Sequence, residues 1–182
     1  MLFKLGNLDN QVEVYWDNLY QIETYPGFSR LLIGCKSKEI PLILQFCKEM
    51  EGPFAVLHVL LMSRLGKEPG RYQSPYPMSY EELELFLYEH QEYFEQDGRH
   101  HLWVLSVSGE GQFIFDNHNY IYAYGNTESY LTTLANSGFT EGDIRIPDPH
   151  CHNYHSEYDD KEQAVHNAFD WLYSPLQEGD DP

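Results

Sequence analysis

Phe113-Ile114-Phe115, Asp116-Asn117-His118-Asn119 and Tyr120-Ile121-Tyr122-Ala123-Tyr124 follow one another without a break. The two outer runs are aromatic and β-branched, residue types that suit a pleated, half-buried surface. The four residues between them are turn formers, because short polar side chains hydrogen-bond the backbone of a turn. The stretch therefore predicts a β-hairpin or meander. Adjacent antiparallel strands in mid-chain point away from a doubly wound parallel sheet. No glycine-rich phosphate loop follows any expected strand, so a P-loop or dinucleotide fingerprint is excluded as well.

Outward from the hairpin, Leu102 to Val107 reads as the preceding strand, after His100-His101, of which only one is expected to face inward. On the other side Asn126 or Thr127 caps a short helix with Tyr130, Leu131 and Leu134 inward, and Gly138-Phe139 resembles a Schellman stop. Upstream, Ser79 and Glu82 form a capping box for a helix whose inward stripe is Leu83, Phe86, Leu87, His90 and Phe94. Gly66 to Pro77 is expected to be a surface loop. Phe54 to Met62 is nearly all apolar and reads as a central strand buried on both faces, with His58 a hydrogen-bonded core histidine.

Closer to the N-terminus, Ile43, Phe46, Cys47 and Met50 give one face of a helix that opens at Ser37 and stops at Gly52-Pro53. Arg30 to Cys35 and Val12 to Trp16 read as strands, although Trp16 to Ile22 also suits a helix. At the other end, Asp143 to Ile146 reads as a short strand. A final helix begins near Asp159 or Asp160, with Val165, Ala168, Phe169 and Leu172 inward. The expected fold is α+β: a single mixed or mainly antiparallel β-sheet with about four helices packed against it. It is expected to form one domain over residues 1–176, with 177–182 a frayed polar tail.

Charge narrows the function. Eleven basic and 29 acidic residues leave a formal charge of 11 − 29 = −18. That balance opposes nucleic acid and anionic lipid, and favours a basic partner protein. Cys35, Cys47 and Cys151 form no even framework and read as reduced thiols. With no apolar run of membrane-spanning length, the expectation is a cytoplasmic protein without membrane or nucleic-acid contact.

Reactive groups concentrate between Pro147 and Asp160, where the chain reads Pro-Asp-Pro-His-Cys-His-Asn-Tyr-His-Ser-Glu-Tyr-Asp-Asp. An extended backbone points residues i and i+2 the same way, so His150 and His152 converge, with His155 arriving after a turn. Three imidazoles suit Zn²⁺ or another divalent first-row ion, with Glu157 or Asp148 as general base for hydrolysis. The spacing is not His-Glu-x-x-His, however, and the competing reading is a loop whose histidines bond acidic neighbours and pack on Tyr154 and Tyr158. Cys151 is a poor nucleophile candidate, since its neighbouring histidines point to the opposite face.

Turn propensity accounts for Asp116 and His118, although a hairpin tip is also where a ligand is met. Glu162, His166 and Asp170 share the polar side of the last helix, where His166 can approach the histidine loop. Glu81, Glu84, Glu89 and Glu92 form either an ordinary solvated helix face or a docking surface for a basic protein. Two functions are thus expected. The favoured one is a non-enzymatic acidic interaction protein of inhibitor or immunity type. The alternative is a metal-binding protein or metal-dependent hydrolase centred on His150, His152 and His155.

Overall fold

The hairpin at residues 113–124 lies inside a nine-stranded sheet, in a computed structural model that describes residues 2–10 and 12–180. In chain order the elements are β1 (Leu5–Asn7), β2 (Leu19–Tyr25), β3 (Phe28–Gly34), α1 (Glu39–Lys48), β4 (Phe54–Leu60), β5 (Gly70–Gln73), α2 (Tyr80–Glu89) and α3 (Gln91–Gln96). There follow β6 (His100–Ser106), β7 (Gly111–Phe115), β8 (Tyr120–Gly125), α4 (Thr127–Asn136), β9 (Thr140–Glu141), β10 (His150–His152), a 3₁₀ turn (Ser156–Tyr158), α5 (Asp159–Asn167) and β11 (Leu172–Ser174).

The large sheet runs β11-β5-β4-β6-β7-β8-β3-β2-β9, and among the described residues only the β2–β9 pair is parallel. β1 and β10 form a second, two-stranded sheet. Mixed α and β structure is thus present, with two sheets and, among the described residues, five helices in place of one sheet and about four.

Alternation along the strands separates two cores. Ile121 and Ala123 of β8, with Leu31 and Ile33 of β3, join the main core beneath α1, α2, α3 and α4. Tyr120 and Leu32 face the other way and pack with Leu5, Trp16 and Ile144. Period-two side-chain placement makes one strand serve both. The hairpin turn is built by Asp116, whose Oδ1 accepts the backbone N–H groups of His118 (3.0 Å) and Tyr120 (2.8 Å). Asn119 takes the left-handed conformation there, which Asn tolerates better than most residues.

Local capping signals hold. Ser79 and Glu82 form the reciprocal capping box of α2. Both Schellman bonds close α4, from Phe139 N–H to the Leu134 carbonyl and from Gly138 N–H to the Ala135 carbonyl.

Several expectations change. Val12 to Trp16 is not a strand: Glu13 makes one isolated bridge to Gly6, and the strand is Leu19–Tyr25. Trp16 instead lies on the second core, so close to Gly34 that a Cβ there would sit 2.4 Å from its ring. The stretch from Gly66 to Pro77 contains β5, which pairs with β4 and β11. Asp143 to Ile146 is irregular, and the short strand is β9, because Thr140 and Gly142 reach the backbone of Asn18 and Tyr20. The Ser79 helix breaks at His90 (φ −107°, ψ 9°) and resumes as α3, with Phe94 still buried.

The C-terminal region differs most. α5 ends at Asn167, Ala168 is exposed, and Leu172 lies exposed on β11. Glu162, expected on the polar face, is fully buried because it pairs with Arg99. The segment expected to fray is held at Asp180, which is buried and takes a two-pronged bond from Arg71 (2.8 and 2.7 Å); Asp181 and Pro182 lie outside the described residues. His100 and His101 are both buried, since both faces of β6 are covered.

Candidate metal centre

β10 pairs antiparallel with β1, so that His152 faces Leu5, Cys151 faces Gly6 and His150 faces Asn7. The extended backbone sends His150 and His152 to one side and Cys151 to the other, where its thiol lies 3.5 Å from the Gly6 carbonyl oxygen. The third histidine is His118 from the tip of the β7–β8 hairpin. Ring nitrogens of His118, His150 and His152 all lie within 4.8 Å of one another. Their ring centroids are 4.6 to 5.3 Å apart in edge-on arrangements. This group is close enough to bind a metal ion.

Outer contacts prepare two of the three rings. His118 Nδ1–H donates to Asp116 Oδ2 (3.1 Å), and His152 Nδ1–H donates to the Asn117 carbonyl oxygen (3.1 Å). With Nδ1 occupied as a donor, each ring keeps the Nε2 lone pair free, and a carboxylate or carbonyl partner is the usual second layer of a histidine metal site. Burial, reinforced by the neighbouring His118 ring, pushes His152 down to about 4, which leaves it neutral and able to ligate at neutral pH.

His155 is not in this group. Its Nε2 lies 2.9 Å from the Phe3 carbonyl oxygen, and its backbone is clamped at both ends. The N–H donates to Asp97 Oδ2 (2.9 Å) and the carbonyl accepts from Arg99 Nη2 (2.7 Å). Arg99 is fully buried and also bonds Asp97, Asp159 and Glu162. The two readings of the histidine segment therefore divide: His150 and His152 turn toward a shared position, while His155 anchors the loop.

The other expected residues fall elsewhere. Glu157 is exposed and bonds Ser156, and Asp148 is exposed; the carboxylate that contacts the histidine group is Asp116. His166 lies against Tyr72 and His58, with ring centroids 4.7 and 5.6 Å away, and not beside the histidine loop. His58 is buried as expected, but neither of its ring nitrogens finds a hydrogen-bond partner among the described residues. Glu81 and Glu89 are exposed on α2. Glu84 accepts from the Tyr80 hydroxyl, and Glu92, on α3, is held by Lys161 and the Tyr158 hydroxyl. His118 lies outside the expected trio, because in the sequence turn formation accounts for it. The signal that would have found it is Asp116-x-His118, a carboxylate placed to orient an imidazole.

Beside the histidines lies a cleft of about 500 Å³ on the sheet face away from the helices. Asp116 and His118 form part of its wall, with His101, Trp103, Tyr122 and Arg30. His101 is buried, its Nε2 has no partner among the described residues, and burial pushes it down to about 4. Arg30 is occupied by Glu23 and the Tyr124 hydroxyl and lies over the Tyr122 ring, so it serves more as a strut than as a free cation.

The thiols of Cys35 and Cys47 are buried and pushed upward by burial, which suits core packing. Among the described residues, no helix is long and apolar enough to cross a membrane. No protein-family model, no curated protein and no solved structure matches this chain.

Proposed function

We propose that the protein binds one divalent first-row metal ion, of which Zn²⁺ is the leading example, between His118, His150 and His152. The observation that carries this reading is the convergence of three imidazoles from two separate segments, two of them with the outer nitrogen already satisfied. Neutral imidazole nitrogens are the ligands that Zn²⁺ and its neighbours prefer. A formal charge of −18 also raises the local concentration of cations.

Three protein ligands leave a coordination position open, the arrangement of catalytic rather than structural zinc. His118 also lines the aromatic cleft, so an ion held by the three histidines would have a space for a small molecule beside one of its ligands. An ion held there would supply Lewis acidity, the chemistry of metal-assisted hydrolysis. The chain's own contribution is to orient His118 through Asp116 and His152 through Asn117, and to hold β10 against β1.

Tag-free protein incubated with Zn²⁺ and freed of excess is expected to retain about one ion per chain by elemental analysis. H118A and the H150A/H152A pair are expected to abolish retention, and H155A to preserve it. Protein that retains no ion, with a melting temperature indifferent to Zn²⁺, refutes the reading.

A further inference from the structure

A second concavity, of about 510 Å³, lies between α2 and the end of α5. Its floor is apolar. Phe86 meets Phe169 at 5.1 Å between ring centroids, and Phe169 meets Tyr76 edge-on at 5.9 Å. Leu85 is 69% exposed and Tyr76 53% exposed, so large apolar side chains stand open beside the groove. Large exposed apolar patches with polar rims mark interaction sites.

The rim has one sign of charge. Among the described residues, Glu82 and Glu89 line the groove and no Lys or Arg does so. Lys161, a cation close enough to act on His90, is held by Glu92. A second copy of this chain would bring another −18 of charge, which opposes self-association at an acidic rim. Anionic lipid is opposed for the same reason. Two of the walls are the helices α2 and α5, and among the described residues no residue of a named strand lines the groove, so the shape suits a helix laid in it. α2 has ten residues and is about 15 Å long. That length matches about three turns of a docked helix.

We propose that this groove docks a basic amphipathic helix of a partner protein, its apolar face on Leu85, Phe86 and Phe169 and its Lys or Arg side chains toward Glu89, with Glu82, whose carboxylate caps α2, adding its charge to the rim. This gives the acidic interaction surface a position on the fold. Of the acidic residues expected to form it, Glu89 lines the groove and Glu81 flanks it on α2, while Glu84 and Glu92 are engaged within the fold. The proposal is independent of any ion at the histidine trio.

The test is a fluorescence-anisotropy titration of the full chain with a labelled synthetic peptide. Its Leu residues sit at helical i, i+3, i+4 and i+7 spacing and its remaining positions are Lys. Expected results are binding that weakens with salt, and a loss of about tenfold on scrambling the peptide, which destroys its apolar face. L85A is expected to cost severalfold to about tenfold. E89K should weaken binding and flatten its salt dependence, while E141K on the distant β9 should leave it unchanged. Leu85 is exposed, so melting curves of L85A should match those of the parent and exclude misfolding. Absence of peptide binding overturns the proposal, and so does equal binding of the scrambled peptide or by L85A. Concentration-dependent self-association abolished by L85A would also overturn it, by naming a second copy as the occupant.

Discussion

Two trios of histidines sit in this molecule at similar ring spacings, and their surroundings give them opposite characters. His58 lies 5.2 Å from His100 and 5.6 Å from His166 between ring centroids, much like the 4.6 to 5.3 Å of His118, His150 and His152. Around His58 the neighbours are Tyr93, Phe94, Tyr72 and Trp171, and both nitrogens of His58 and of His100 lack partners among the described residues. Nothing there selects a tautomer or directs a lone pair. At the second trio, Asp116 and the Asn117 carbonyl each take one N–H and so free the opposite nitrogen. Proximity of imidazoles is therefore a weak sign of a metal site, and the acceptor behind each ring is the stronger one.

The largest test of this contrast removes the anchor of the second trio. Arg99 is buried with Asp97 and Glu162, pairs with the half-buried Asp159 and grips the His155 carbonyl. R99M leaves uncompensated buried carboxylates and is expected to cost about 3–5 kcal/mol in urea unfolding. It should also abolish zinc retention, since the loop carrying His150 and His152 comes free. Stability within 1 kcal/mol of the parent, in order-of-magnitude terms, would mean that the network does not hold the loop.

Next in size is the ligand effect itself. Zn²⁺ at a hundredfold excess over its dissociation constant should raise stability by about 2.7 kcal/mol. H150A/H152A should lose that rise, whereas a double change of His58 and His166 to Phe should keep it. Removal of the acceptor behind His118 by D116N should weaken ion affinity by about 10–100-fold, measured by competition with a chromogenic chelator. An unchanged affinity would show that the Asp116 contact serves the turn alone.

The smallest effects belong to the buried trio. H58F keeps the aromatic packing and removes two unsatisfied nitrogens, so it should stabilise the fold by about 1–2 kcal/mol without changing zinc uptake. Burial, with neighbouring histidines, holds His58 and His100 well below the ordinary 6.5. Groups depressed in this way contribute stability above 6.5 that is lost progressively as pH falls, because the unfolded state takes up protons that the folded state refuses. The urea midpoint should therefore fall below pH 6.5, and fall less steeply in H58F. Equal slopes would place the acid sensitivity elsewhere.

Much of the framework is legible from local chemistry. The Asp116 turn, the Ser79–Glu82 box and the Gly138-Phe139 stop each depend on residues within a few positions of one another, and each is found where expected. The short strands β1, β5, β9 and β11 are not legible in this way. Two to four residues carry no periodicity, and their strand character comes wholly from partners distant in sequence. Glu162 shows the same limit, since a charge on a helix reads as solvated until Arg99 is found opposite it.

For the candidate site, the sequence alone determined that His150 and His152 point one way and Cys151 the other, because an extended backbone alternates its side chains. It determined equally that the hairpin tip carries Asp116 and His118, because turn chemistry demands polar residues there. Only the tertiary structure decided that these two segments meet. β10 is held on β1 and clamped at His155, and that docking sets His118, rather than His155, beside His150 and His152. Local sequence governs where a side chain points relative to its own backbone, whereas convergence on one position depends on packing between segments more than thirty residues apart.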